Sequence, residues 1–322
     1  MRAVIFERTG RPEDVISVGA APQPACPPGA VLIKVSANPI QPADFLFISG
    51  RYRIKPAFPQ VAGLEGAGTI VTCGAGVTGL TPGQRVAFRS PGAWAEYVVA
   101  PVARIYPVPP GVSDAVACQF ALNPLTAWAL LAICDLPPNS RILITAGRSA
   151  VARLLTRLAR RRQLQVALLV RNGGGYALLN GESGDTVVTA GSVEDVLAHA
   201  GTSNSYHAIL DSVGGPDVLP LIDALEARGR LISYGVLDDR EIVIRSSRIL
   251  YKNMIWQGFG IDGWLDNTSK SELQTAQKEL WELLVANPDL LPVAESFDLS
   301  RVVEAVLAAS GGRQNGKVLL SR

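Results

Sequence analysis

Histidine and cysteine are scarce in this chain of 322 residues: two histidines (His199, His207) and four cysteines (Cys26, Cys73, Cys118, Cys134), with no CxxC pair. That spacing excludes a disulfide framework and a zinc ribbon, both of which need closely paired cysteines. Charge of one sign is lacking too. The formal net charge is +2 and charged residues make up 18%, which gives no general reason to expect a nucleic-acid partner. No apolar run is long enough to span a bilayer. The opening residues, MRAVIFERTG, lack the apolar core of a secretory signal. The expectation is a protein without membrane or nucleic-acid partners, in the cytoplasm or, after processing, an organelle matrix. Apolar residues reach 48% and mean hydropathy is +0.22, so the chain buries a core, and its length suits two domains.

Glycine is missing at one telling place. The stretch ILITAGRSAVARLLTRLARRR (142–162) reads as a buried strand, a tight turn and an amphipathic helix, the layout of a dinucleotide-binding turn. Only Gly147 stands where such turns carry two or three glycines. The helix is clear: Val151, Leu154, Leu155 and Leu158 recur at helical spacing, with Arg153, Arg157, Arg160 and Arg161 on other faces. Its first turn (Arg148, Ser149, Ala150, Val151) would aim free backbone N–H groups at a pyrophosphate. A strand-turn-helix without any ligand would look much the same. The next strand, QVALLV, ends in Arg171, where a Rossmann unit reads the adenosine ribose. An arginine there pairs with a 2′-phosphate and argues for NADP(H); the other reading is an exposed strand-end arginine.

Around this turn the chain has two textures. Residues 1–100 are short strands cut by Gly and Pro, which predicts a compact β domain. From Arg141 strands alternate with helices (RILITA, QVALLV, DTVVTA, HAILDSV, a helix from about Val218 to Ala227, RLISYG, NMIWQGF), the pattern of βαβ units and a parallel sheet. Between them AVACQFALNPLTAWALLAICDL reads as two helical stretches interrupted at Pro124. The terminal GKVLLSR is a short strand that could rejoin the first domain. The expected architecture is an α/β chain: a β-rich catalytic domain (1–118 and 265–322) and a doubly wound parallel-sheet domain of Rossmann type (119–264).

In linear order the chain resembles the zinc-independent medium-chain dehydrogenases/reductases, in the quinone oxidoreductase and trans-2-enoyl thioester reductase branch. The blocks that carry the resemblance are NPIQPADFLFISGRY (38–52), FPQVAGLEGAGTIVTCGAGVTGLTPGQRVAF (58–88), GAWAEYVVAP (92–101), NPLTAWALL (123–131), LDSVGG (210–215), GRLISYG (229–235), IWQGFGIDGW (255–264) and GKVLL (316–320). They run nearly end to end and imply a GroES-like first domain. Zinc-dependent relatives carry Gly-His-Glu where this chain has Gly63-Leu64-Glu65. With both histidines in the nucleotide domain, a catalytic zinc has no ligand set.

Without a Lewis acid, polarising a carbonyl falls to hydrogen-bond donors. The resemblance implies NADPH-dependent reduction of an activated C=C bond, most naturally in a 2-enoyl thioester, with NADPH:quinone reduction as the alternative. Tyr52 then carries over as proton donor, a role its ordinary pKa near 10 suits, and Asn38 as the residue near the nicotinamide; Asp44 would brace the loop. Thr126, Val213, Tyr234, Phe259 and Lys317 carry over as cofactor contacts, and Phe45, Trp256 and Trp264 as substrate-pocket aromatics. Each has a plainer alternative: Tyr52 and the aromatics as packing, Asn38, Asp44 and Thr126 as helix caps. The resemblance also implies a homodimer joined through the strand NMIWQGF. The glycine-poor turn and the short segment RNGGGYALLNGESGDTVV depart from the family pattern on the adenine side, and they motivate a contrasting reading as a non-catalytic nucleotide-binding sensor or interaction partner.

Overall fold

The computed structural model describes residues 1–311 and 315–322. The chain forms two compact units, Met1–Pro124 with Gln277–Arg322, and Leu125–Ala276. Both changeovers fall inside helices, Asn123–Cys134 and Lys270–Ala286, further along the chain than positions 118 and 264. Helical periodicity runs straight through such a boundary and does not mark it.

Strands β1 (Arg2–Phe6), β2 (Ile16–Ala20), β3 (Ala30–Pro39), β4 (Gln60–Val61), β5 (Glu65–Cys73), β6 (Arg85–Arg89), β7 (Tyr97–Pro101) and β8 (Ile105–Pro107) lie in the first unit. The second unit holds β9 (Arg141–Ile144), β10 (Gln165–Asn172), β11 (Gly175–Asn180), β12 (Thr186–Ala190), β13 (Tyr206–Asp211), β14 (Leu225–Ser233) and β15 (Ile255–Gly258). The chain returns to the first unit in β16 (Val293–Asp298) and β17 (Lys317–Ser321).

In the first unit a small sheet, β2-β1-β4, accompanies a larger one of order β16-β17-β3-β5-β6-β8, with β7 also paired to β3. The terminal strand β17 indeed rejoins this unit, antiparallel to β3 with Leu320 opposite Asn38. One core takes Val31 and Ile33 from β3, Ile70 from β5 and Phe88 from β6, with Phe47 from the helix Pro42–Ile48 and Trp94 from the loop before β7. Full burial of each such side chain contributes roughly 1.5–3 kcal/mol. The strand β3 runs directly into the helix Pro42–Ile48, whose start is set by Pro42 in its first turn.

The second unit is a sheet of order β12-β11-β10-β9-β13-β14-β15. Its β10-β9-β13-β14-β15 run is parallel, as the strand-helix alternation predicts. The other edge differs. Strand β11 lies antiparallel to both β10 and β12, where a doubly wound fold would place a helix and a parallel strand. The cause is local: Asn172 pairs with Gly175, leaving Gly173 and Gly174 as a two-residue turn with φ of 55° and 93°. Such a turn reverses the chain into a hairpin at once. Gly173 and Gly174 are therefore a hairpin turn, and Gly175 begins the strand that continues through YALLN. The helix Val218–Ala224 also stops earlier than the sequence suggests, because Leu225 to Ala227 begin β14. In the run before Arg141, Pro124 sits in the first turn of Asn123–Cys134, where a proline is well tolerated.

Candidate active site

The first unit gathers its buried polar side chains on one spot. Asn38 ends β3, and Gln41 and Asp44 open the helix after it. All three are essentially inaccessible, as is Glu65 at the start of β5. Asn38 Nδ2 donates to the Glu65 carbonyl oxygen at 2.7 Å and Gln41 Nε2 to Glu65 Oε1 at 2.7 Å. The Gln41 backbone N–H donates to Asp44 Oδ2 at 2.8 Å, the return half of a capping box. Gly66 is the neighbour that makes room, since a Cβ there would collide with Asn38 Nδ2. Across the β5–β6 ladder Glu65 faces Arg89. The Arg89 guanidinium, itself buried, donates through Nη2 to Tyr52 Oη at 2.9 Å. Tyr52 is only half-buried, held by its backbone N–H donating to the Leu46 carbonyl at 2.9 Å.

Burial dominates the electrostatics. Desolvation pushes the Asp44 and Glu65 carboxyls up to about 7, opposed for Asp44 by the Gln41 backbone and then by Arg89 and Lys317, and for Glu65 first by Arg89. Asn38 and Tyr52 thus belong to one network, linked through Glu65 and Arg89, and the Lys317 charge acts on the same carboxylates. Phe45, from the helix Pro42–Ile48, packs against the core of this unit.

In the second unit the turn after β9 has a definite shape. Ala146 takes a positive φ of 46°. The Gly147 N–H donates to the Leu169 carbonyl at 3.0 Å, and a Cβ on Gly147 would sit 2.6 Å from Leu168 Cβ. The one retained glycine therefore serves contact between the turn and β10. Ser149 caps the helix Ala150–Arg161 by accepting from the Ala152 N–H, so Ala150 and Val151 supply the first-turn N–H groups without an intrahelical acceptor. Arg148 Nη1 donates to the Arg171 carbonyl at 2.8 Å, which places both arginines at the exposed end of β10.

The loop after β13 is built around Asp211, which is fully buried. Its carboxylate accepts from the Thr145 hydroxyl at 2.7 Å, the Val213 N–H at 3.1 Å and the Gly214 N–H at 3.0 Å. The Tyr234 N–H donates to the Asp211 carbonyl at 2.8 Å, and the buried Tyr234 hydroxyl lies toward Ser212. The Phe259 N–H donates to the Ser233 carbonyl at 2.8 Å. Thr126 is buried on its helix. Trp256 donates from Nε1 to Ser233 Oγ at 2.9 Å and packs against the core of this unit, so it is engaged in sheet packing. Trp264 lies 5.9 Å from Trp128, ring centre to ring centre.

Sequence reading missed Arg89, Gln41, Thr145 and Asp211. Arg89 carries a signal: it is an arginine placed directly after the apolar run VAF. Thr145 and Asp211 show their value only once β9 and β13 lie side by side.

The ligand set for zinc does not fit. Leu64 is a buried core residue where a histidine ligand would stand, both histidines lie in the second unit, and among the described residues no group of three or more His, Cys, Asp or Glu side chains could hold a metal. A dinucleotide fits better. The N–H groups of Ala150 and Val151 meet phosphate chemistry, the single methyls of Ala150 and Ala152 keep the turn low, and Arg148 and Arg171 are positive at the ribose end.

Comparison with known proteins agrees with this geometry. The profile of the alcohol dehydrogenase GroES-like domain matches residues 27–110, and that of the zinc-binding dehydrogenase family matches 184–320. The mitochondrial enoyl-[acyl-carrier-protein] reductase of Bos taurus is 25% identical, with all of this chain and 88% of the relative aligned. Among solved structures, a protein assigned as an NADPH:quinone reductase from Bacillus thuringiensis superposes with a TM-score of 0.86 at 25% identity, covering 100% of this chain and 98% of that one. Escherichia coli quinone oxidoreductase, solved with NADPH, shares the fold with a TM-score of 0.82 at 20% identity over 100% and 99% of the two chains. With both halves matched by dehydrogenase profiles and the whole chain aligned to reductases, the protein belongs to the medium-chain dehydrogenase/reductase superfamily.

Proposed function

We propose that the protein is an NADPH-dependent reductase of an activated C=C bond, with a 2-enoyl thioester as its substrate class. The first unit is the catalytic part and the second the nucleotide-binding part. The observation that carries the reading is Tyr52: a half-buried phenol whose oxygen accepts from Arg89, within a chain aligned over its whole length with an enoyl reductase. NADPH, when bound, supplies a hydride to the β-carbon. The turn Gly147–Val151 and Arg171 hold its phosphates, and Thr126, Val213, Tyr234 and Phe259 line its path. Tyr52 gives the α-carbon of the resulting enolate its proton. Asn38, fixed by the Glu65 carbonyl, keeps its side-chain oxygen for the nicotinamide side, and Phe45 contributes apolar wall in the same unit.

Reduction of a quinone is the second reading, favoured by the superposition on the Bacillus thuringiensis structure. It needs no protonated carbon. The two readings separate on Tyr52→Phe, which removes only the hydroxyl. General acid catalysis contributes about 10²–10⁴-fold. The expected result is a kcat loss of that order on an enoyl thioester, NADPH affinity within two-fold, and quinone reduction far less affected. An enoyl rate equal to wild type would make Tyr52 a packing residue and end the reading.

The protein is further proposed to be a homodimer joined along β15 and to work in the cytoplasm or an organelle matrix. On that edge strand Ile255 is exposed, and so are Val243, Leu250 and Tyr251 in the segment leading into it, with Tyr251 at 81%, apolar exposure of a kind that an open strand edge usually avoids. No helix among the described residues is long and apolar enough to cross a membrane.

A further inference from the structure

Arg89 is the residue whose place the reaction alone does not explain. It closes β6, it is 4% exposed, and Nη2 donates to Tyr52 Oη at 2.9 Å. A guanidinium carries five N–H donors and no acceptor. The Tyr52 hydroxyl hydrogen therefore cannot point at Arg89: the oxygen accepts there, and its own O–H is turned toward another acceptor. Arg89 also pairs in register with Glu65 across the β5–β6 ladder, and its charge acts on both Glu65 and Asp44.

We infer that Arg89 positions Tyr52 for proton donation, fixing the direction of its O–H and holding the oxygen by a charge-assisted hydrogen bond as the proton leaves. The inference rests on the reading of Tyr52 as donor and deepens it. In the step, the Tyr52 O–H bond breaks and its electron pair stays on oxygen. The enolate π pair forms the new C–H bond at the α-carbon, and the carbonyl is restored. Water returns a proton to Tyr52 through its exposed side, so no further co-reactant is needed. Arg89 touches neither substrate nor reacting carbon; it acts through the phenol oxygen. A neutral donor at this position would direct the hydroxyl less strictly, since Ser, Gln or water can also accept from it.

The test is a double-mutant cycle between Arg89 and Tyr52 with crotonyl-coenzyme A and NADPH. Arg89→Gln is expected to lower kcat by about 10- to 100-fold, the range for one hydrogen bond to a charged group, with a larger solvent isotope effect in heavy water and a partial return in Arg89→Lys. In the Tyr52→Phe background the same Arg89→Gln change is expected to cost less than about two-fold, because the group it serves is gone. NADPH affinity and the thermal midpoint, read alongside, report folding. The paired variant Arg89→Gln/Glu65→Gln, which removes both buried charges together, takes the place of Arg89→Gln if that single change unfolds the protein. An equal loss from Arg89→Gln with and without the Tyr52 hydroxyl would overturn the inference while leaving Tyr52 as donor. An unchanged rate in Tyr52→Phe would overturn the donor reading itself, and the inference with it.

Discussion

The Thr145 hydroxyl donates to Oδ1 of Asp211 at 2.7 Å, a side-chain bond between the end of β9 and the end of β13. Thr145 Oγ1 in turn accepts from the Ser212 N–H at 2.9 Å. The buried carboxylate thus orders the loop Ser212–Gly215, which lies beside the nucleotide turn at the C-terminal edge of a parallel sheet, where such folds take their ligands. Thr145→Val keeps the volume and removes both bonds. Loss of stability of about 1–3 kcal/mol is expected, the cost of leaving buried partners unsatisfied, along with weaker NADPH binding. Urea unfolding and a fluorescence titration measure the two. Stability within a few tenths of a kcal/mol of wild type would mean the loop holds without this bond.

The buried pair in the first unit sets a pH dependence. Burial raises the Asp44 and Glu65 carboxyls to about 7, well above the ordinary carboxylate range. Between those limits the native state keeps protons that the unfolded chain has released. Stability is then full below the ordinary carboxylate range and falls as pH rises through about 7. The raised values already include the pull of Arg89 and Lys317, so the fall is expected to reach several kcal/mol, at about 1.4 kcal/mol for each pH unit between the ordinary and the raised value of each carboxyl. Asp44→Asn with Glu65→Gln should flatten it. Equal slopes for wild type and the double variant in urea unfolding from about pH 4.5 to about pH 8 would count against this account.

Much of this was legible in the sequence, and the misses share a cause. Short apolar runs cut by Gly and Pro, and helical spacing after Gly147, announced most of the strands and that helix, because a buried run leaves a local trace. The β11 hairpin left none: YALLN is apolar enough for strand or helix, and only the positive φ of Gly173 and Gly174 decides. The missing side chain of Gly147 also makes room for Leu168, a contact with β10 that shows only once the turn packs on its neighbour. In the candidate site, Tyr52 and Asn38 came from the resemblance, and the structure joins them through Arg89 and Glu65. Those partners are distant in sequence and meet only by strand register, so no local pattern could have paired them.

Assembly is tested at the β15 edge. Ile255 is 42% exposed on that strand, and a lysine there would set a like-charge pair facing its copy across the proposed junction. Ile255→Lys with Tyr251→Glu is expected to convert the dimer to a monomer without unfolding the sheet, since neither side chain is in the core of the unit. Light scattering reads the outcome. A wild-type mass equal to one chain of 34.1 kDa at every concentration would remove the dimer.

Cofactor preference turns on Arg171. Its side chain stands exposed at the end of β10, and its carbonyl accepts from Arg148. The acidic competitor in this region is occupied. Asp238 is held down to about 2, chiefly by hydrogen bonds from the Arg240 side chain, with Arg171 adding a smaller pull. A 2′-phosphate arriving here meets the positive charge of Arg171, which also reaches the Tyr176 hydroxyl, and an arginine at this strand end favours it over a free 2′-hydroxyl. NADPH is therefore expected to bind more tightly than NADH. Arg171→Ala should weaken NADPH alone by on the order of 1.5–3 kcal/mol, the range for hydrogen bonds to charged groups, and leave NADH almost unchanged. The difference should shrink as salt rises, because the pair is exposed. Calorimetric titration of both cofactors against wild type and Arg171→Ala at two ionic strengths measures all three statements. Equal affinities for NADH and NADPH in the wild type would show that Arg171 is a solvated strand end and that the 2′-phosphate is not read at this position.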